Sequence, residues 1–458
     1  MKMGKLSKKS IQWIIVILSF VLVKLFPTGE LWTPTLSMFL AITVSGILLL
    51  AFNLLNNVTS SIILMFAYPL LKVCSLSQAL SNWTSEAVWM TLCCFILVVL
   101  IQKTTILERI AYKMASKCNG NYIALVFGVA LISIVARVLM QGILALVSVI
   151  AIVYGMCKAL NLKGKGAAGL LLTCTFVYHD SNFFIYSPGY IAIVFKNAAT
   201  VSPMPIDYFT YFMDNWVFII PLVLTTIATA FLCRPKEQLG ETTFFDEKLK
   251  ELGAWTDKDK KMLTILILFI LYLFTNSIHK LGMMYGFVFV ITAPFLPGIE
   301  IGDAKDFSKV SWGGIFFVAA CMTIGTAGAA AGFGKFISTI ALPLLQNMSN
   351  KVFFAATYFL SVFLNFIMTP AAVMSVLGEP LAQICQDLSF NPYGMVYSVF
   401  QGISQLLFAY EVTVYMVAFS FGLMSTKEFA KPMIVKFLIQ TIGLLTIGFL
   451  WWGVRGIV

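Results

Sequence analysis

Charge is scarce in this chain: 11% of its 458 residues are Asp, Glu, Lys or Arg, while 60% are hydrophobic. A water-soluble domain of this length needs far more charge to cover its surface, so that class is excluded. Histidine is scarcer still. His179 and His279 are the only two, too few for a histidine-based metal centre. Cysteine is present but not organised. Most of it lies inside apolar runs (Cys93, Cys94, Cys157, Cys174, Cys321), and Cys93-Cys94 is an adjacent pair without metal-ligand spacing. Nucleophile-elbow, zinc-protease and Walker sequences are missing, so hydrolysis and ATP-driven pumping lack machinery; the chain reads as no enzyme and as needing no cofactor. The formal charge of +11 does not point to nucleic acid, because the basic residues sit in short loops between apolar runs, where they act as topology signals.

Apolar length is what the chain has in abundance, with a mean hydropathy of +0.92. Hydrophobic segments fall at about 11–27, 34–53, 58–73, 86–103, 121–139, 140–158, 166–200, 215–233, 262–278, 282–298, 311–331, 352–367, 370–388, 395–426 and 432–453. The longest polar stretch, Arg234 to Lys261, is too short to hold a core of its own. The expectation is a single membrane unit over 1–458, multi-pass in the cell membrane, with the bilayer as its surroundings. Lys2, Lys5, Lys8 and Lys9 precede the first apolar run, which ends in Phe26-Pro27-Thr28-Gly29-Glu30 without a small-x-small cleavage site. It reads as a retained helix with a cytoplasmic N-terminus.

Two pairs of segments have almost no polar linker between them. One pair turns at Met140-Gln141-Gly142 and the other at Met368-Thr369-Pro370. Consecutive full spans need a loop in water, so these turns predict two re-entrant helical hairpins buried in protein. Two further runs are interrupted: 166–200 by Tyr178-His179-Asp180-Ser181-Asn182 and Ser187-Pro188-Gly189, and 395–426 by Tyr410-Glu411-Val412-Thr413. The order hairpin, broken helix, hairpin, broken helix is that of an internal duplication, with a site at the repeat interface near the midplane. Short echoes accompany it. Phe176-Val177-Tyr178-His179 parallels Phe408-Ala409-Tyr410-Glu411, and Ala87-Val88-Trp89 parallels Val310-Ser311-Trp312. Threading from a cytoplasmic N-terminus puts Lys158, Lys163, Lys165, the 234–261 loop, Lys427 and Lys431 inside and Val458 outside. The predicted fold is therefore all-α and polytopic, with about 11 transmembrane helices plus two re-entrant hairpins in two inverted repeats. Repeat one covers about 34–233, the cytoplasmic loop 234–261, and repeat two about 262–454.

The tips and breaks supply the candidate substrate site: Gln141, Gly142, Thr369 and Pro370 from the tips, His179, Ser181 and Asn182 from the first break, Glu411 and Thr413 from the second. Helix N-termini at a hairpin tip present free N–H groups and a positive dipole end, which suits an anion. Ionisable groups at membrane depth cost about 2.5–3.5 kcal/mol on insertion scales and normally face a cavity or a partner. On that ground Asp180, Glu411 and His179 are candidates for a coupling ion, with a structural ion pair or helix cap as the bland alternative. Arg137, three residues before Met140, reads equally as a fork for a substrate carboxylate or as the neutraliser of Asp180. Asn365 reads as a helix–helix hydrogen bond, Glu379 as a supporting acid, Ser375 as weakly placed, and the small-residue run Gly325 to Gly334 as packing.

Several stretches resemble the divalent anion:sodium symporter family of the ion transporter superfamily. They are Ser77-Gln78-Ala79-Leu80 leading to Ala87-Val88-Trp89, Ile106 to Ala111, Val310-Ser311-Trp312-Gly313, Asn365-Phe366, and the ending from Phe429 to Trp451-Trp452. The resemblance covers about 34–454 and implies a homodimer in which a mobile transport domain moves against a scaffold, carrying di- or tricarboxylates or sulfate. Family hairpin tips carry Ser-Asn-Thr. This chain has Met140-Gln141-Gly142 and Met368-Thr369-Pro370 instead, which leaves sodium, proton or exchange coupling open. The resulting expectation is a secondary active transporter of a small anionic organic solute or sulfate by alternating access. Two rivals stand beside it: a cation/proton antiporter with Asp180 and Glu411 as ion ligands, and a membrane scaffold or assembly protein that transports nothing.

Overall fold

The computed structural model describes residues 7–458 except 53, 119, 141, 236–242, 346, 367–368, 409–414, 416–417 and 420. Gln141, Glu411 and Thr413, three of the expected site residues, lie outside the described set. Among the described residues every regular element is helical.

Three helices open the chain: α1 (Lys8–Leu25), α2 (Pro34–Ala51) and α3 (Asn57–Leu70). The start of α2 follows a local rule: Thr33 accepts from the Leu36 N–H and Pro34 takes the first helical position, where its missing N–H costs nothing. Next come α4 (Glu86–Ile101), the amphipathic α5 (Ile106–Lys117), and the antiparallel pair α6 (Tyr122–Leu139) and α7 (Ile143–Ala159). The broken unit α8 (Lys165–Asp180) and α9 (Ile191–Ala198) follows, and then α10 (Tyr208–Leu232). A polar connection containing α11 (Thr243–Glu251) leads to α12 (Asp257–Phe274) and α13 (Met283–Thr292). The remainder repeats the earlier order: α14 (Trp312–Ala331), the amphipathic α15 (Phe333–Leu345), the pair α16 (Asn350–Asn365) and α17 (Pro370–Asp387), α18 (Pro392–Ile403) and finally α19 (Thr426–Val454).

Five of these helices are long and apolar enough to cross a membrane, and a sixth span results if the bent pair Leu76–Thr84 and Glu86–Ile101 counts as one. Asn57–Leu70, Ala145–Ala159, Met283–Phe295 and Phe333–Leu345 are apolar but shorter. Long and short helices alike keep apolar outer faces: Leu22, Leu224, Leu344 and Leu450 are exposed, as a lipid-facing perimeter requires.

In each half the hairpin packs against its own half-helix, α6 and α7 on α8, and α16 and α17 on α18. Across the halves, α9 packs against α17 and α14. Asn197 of α9 makes this crossing close. A Cβ at Gly325 would sit 2.2 Å from its Cγ and one at Gly378 2.8 Å from its Cβ, so small residues on α14 and α17 admit it, and its amide donates to Ser375 O at 3.2 Å. The ends of the fold are fastened by polar contacts. Asp214 accepts from Arg455 at 2.8 Å and from the Tyr397 hydroxyl at 2.9 Å, and its carbonyl accepts from the Trp452 indole at 3.2 Å. Arg109 of α5 donates to the carbonyls of Leu252, Gly253 and Ala254 at 2.7–2.8 Å, which ties the amphipathic helix to the connection between the halves.

Candidate functional site

A cavity of about 180 Å³ opens where the two halves meet. Thr91 and Phe95 reach it from α4, Arg137, Gly142 and Leu146 from the first hairpin, and Tyr178, His179 and Asn182 from the end of α8. Gly314 and Val318 of α14, Ala371 at the second hairpin tip and Tyr415 complete the opposite wall.

The first tip is shaped by one glycine and one tyrosine. Gly142 has φ +110°, a conformation L side chains rarely adopt, and a Cβ there would lie 2.6 Å from the Phe95 ring. The hydroxyl of Tyr178 donates to Met140 O at 2.7 Å and to Gly142 O at 3.1 Å, so the broken helix holds the turn. At the second tip Thr369 accepts from the Ala372 N–H at 3.4 Å and Pro370 occupies the first helical position, the same start used by α2. Thr369 and Pro370 thus form the cap of α17, and Ala371 is the residue of that tip on the cavity wall. The N-termini of α7 and α17 both open on the cavity, and with them two positive dipole ends.

Arg137 is 3% exposed, and its Nε and Nη2 are buried without a hydrogen-bond partner among the described residues. Its guanidinium carbon stands 5.3 Å from the centre of the Tyr178 ring. A buried cation beside a cavity, with donor capacity unused among the described residues, has the chemistry to receive a planar anion.

Asp180 is fully buried and absent from the cavity wall. Its Oδ2 lies 3.1 Å from Lys436 Nζ and its Oδ1 3.5 Å from His179 Nδ1. The Lys436 pair is a charge contact whose angles fall short of a hydrogen bond; the lysine's directed bond goes to Ser404 O at 3.0 Å. Of the two readings open for Arg137, neutralising Asp180 therefore falls to Lys436 of α19. Sequence reasoning misses this residue, although an ionisable group inside the apolar run 432–453 is a visible signal. His179 lines the cavity with both ring nitrogens free of hydrogen bonds among the described residues, its ring edge-on to Tyr190 at 5.7 Å. Asn182 lines the cavity with its side-chain carbonyl unpartnered among the described residues. Ser181 stands behind the wall, its hydroxyl donating to Val177 O at 2.6 Å.

The ends of α8 and α18 share a local pattern, in a register other than that of the short sequence echo. The first residues after α8 are Ser181-Asn182 and the first after α18 are Ser404-Gln405. Both serines donate to the carbonyl four residues back, and both amides have a buried carbonyl unpartnered among the described residues. Counted from the helix ends, Asn182 corresponds to Gln405, whereas Phe408 lies beyond the end of α18 and does not match the helical Phe176. Glu379 accepts from the Gly334 N–H at 3.0 Å and so caps the start of α15 instead of facing the cavity.

The sequence matches the model of the citrate transporter family, CitMHS, over residues 47–400, well over half of the chain. This chain belongs to the citrate transporter family. Its fold is similar to the crystal structure of the YdaH transporter of Alcanivorax borkumensis, described as having an unusual topology. The TM-score is 0.59 at 14% identity, over 82% of this chain and 87% of that one. At that identity the likeness is one of fold alone. A comparison with curated proteins found no match. The citrate transporter family member described here is accordingly an all-α, multi-pass membrane transporter and not an enzyme.

Proposed function

We propose that this protein is a secondary active transporter of a small carboxylate, of which citrate is the first to test, and that Arg137 receives one of its carboxylates. The observation that carries the reading is Arg137 itself, buried, unpaired among the described residues, and on a cavity walled by both halves. A buried charge without a counter-ion costs several kcal/mol, which a bidentate carboxylate offsets. The two helix N-termini add to the positive field, while Asn182 Oδ1 and His179 offer hydrogen bonds to hydroxyl or protonated carboxyl groups. Sulfate, the alternative anion, fits the guanidinium but makes less use of Asn182 and His179.

Alternating access would follow if the hairpins are re-entrant and the repeated halves inverted, so that the site is reached from one side at a time. Membership of the divalent anion:sodium symporters, a homodimeric scaffold, a cytoplasmic N-terminus and an outside C-terminus belong to the same reading. For coupling, His179 favours protons, since it lines the cavity with neither ring nitrogen hydrogen-bonded among the described residues, while its neighbour Asp180 is already engaged by Lys436. The test is uptake of labelled citrate into proteoliposomes, with imposed proton or sodium gradients. Saturable uptake driven by a proton gradient, at least tenfold weaker in Arg137→Ala, supports the reading. Uptake unchanged in that variant removes the site assignment, and proton flux without any carboxylate revives the antiporter.

A further inference from the structure

A second crevice, of about 640 Å³, lies away from the cavity, between α5, α6 and α10. We infer that it seats an anionic glycerophospholipid, the headgroup on Lys113 and Lys117 and an acyl chain along α6 and α10. The assignment is independent of the carboxylate reading.

Three observations carry it. The walls are apolar: Phe127, Leu131 and Ile134 of α6 face Ile219, Leu222 and Val223 of α10. Phe127, Leu131 and Val223 are exposed, so the crevice opens sideways on the surface that meets lipid, and not on water. From Ala124 to Ile134 its wall runs roughly 15 Å along α6 at 1.5 Å per residue, a length suited to an acyl chain.

Charge is confined to one end. Lys113 and Lys117 are four residues apart on α5 and so share a face, both are exposed, and among the described residues neither makes an ion pair. Among the described residues no acidic side chain lines the crevice. The lysines are also held in place, because Arg109 one turn earlier ties α5 to the carbonyls of residues 252–254. Basic residues at the end of an apolar gap between membrane helices are suited to an anionic headgroup. A zwitterionic lipid brings its own cation and gains less. Free phosphate meets only two exposed lysines and leaves the apolar wall unused.

The test is native mass spectrometry of the purified protein offered equal phosphatidylglycerol and phosphatidylcholine. The wild type should retain phosphatidylglycerol in preference, with the preference falling about fivefold in Lys113→Gln and roughly thirtyfold in the double variant Lys113→Gln/Lys117→Gln. Leu131→Trp fills the crevice while leaving both lysines, and should release the bound lipid. Lys335→Gln on α15 is the control and should change nothing. A preference that survives the double variant, lipid retention unaltered by Leu131→Trp, or equal competition by glycerol phosphate would each overturn the assignment. Since both lysines are exposed, the double variant should melt as the wild type does in phosphatidylcholine alone, which separates lost lipid from lost fold.

Discussion

Lys436 joins Asp180 to Ser404. Its ammonium lies 3.1 Å from the Asp180 carboxylate and donates to the Ser404 carbonyl at 3.0 Å, so one lysine on the last helix touches the C-terminal ends of α8 and α18. A cation at two carbonyl-rich helix ends complements both dipoles, and the acid supplies its counter-charge. The cavity, for its part, receives Arg137 and the N-termini of α7 and α17.

Breaking this pair on one side leaves an uncompensated buried charge. Lys436→Met and Asp180→Asn should each destabilise the purified protein by about 3–5 kcal/mol, while the double variant recovers much of the loss. Thermal unfolding in detergent measures both. Additive losses in the double variant would show that the two residues act separately.

Tyr178→Phe removes two hydrogen bonds that hold the first hairpin tip and keeps the ring under Arg137. The expected loss of stability is about 1–3 kcal/mol, with a larger effect on transport because the tip carbonyls lose their fixed positions. Uptake reduced far more than the melting temperature is the signature, whereas equal reductions would mark a purely structural role.

Gly142→Ala meets both a φ of +110° and the Phe95 ring at 2.6 Å. A cost of about 1–3 kcal/mol is expected. Phe95→Ala in the same chain relieves the contact but not the backbone strain, so thermal unfolding should show partial rescue. Full rescue would assign the whole effect to the ring.

A polar latch outside the membrane-spanning segments gives a pH dependence. Lys103 donates to Asp303 at 2.9 Å and to Asp306 at 2.5 Å. Its ammonium holds the Asp303 carboxyl below the usual range. At Asp306 burial pushes the other way, but Lys103, the Asp303 N–H and Lys309 outweigh it and hold that carboxyl low too. Both acids thus have folded-state values below their unfolded ones. Their contribution is fully present above about pH 4 and is lost as pH falls through the depressed values. The melting temperatures of wild type and Lys103→Met should differ at neutral pH and converge in acid. A constant gap would contradict the linkage.

The broad architecture was legible because membrane helices are written in apolar length, and because Met140-Gln141-Gly142 and Thr369-Pro370 interrupt that length with turn residues. Arg137 and His179 stood out as ionisable groups within apolar runs. The pairing of Asp180 was not legible, since its partner is 256 positions away by chain numbering (436 − 180) and only packing of α8 against α19 brings them together. Ser404-Gln405 was not legible for another reason: polar but uncharged residues at the end of α18 give a weaker signal than the acid Glu411 a few residues on.

The most direct measurement is calorimetric binding of citrate to the purified protein, wild type against Arg137→Met. Saturable binding in the wild type, weakened at least about tenfold in the variant while its melting temperature holds or rises, is the predicted result, because removing a buried cation that has no ion pair among the described residues should not cost stability. Citrate bound equally well by both proteins would contradict it.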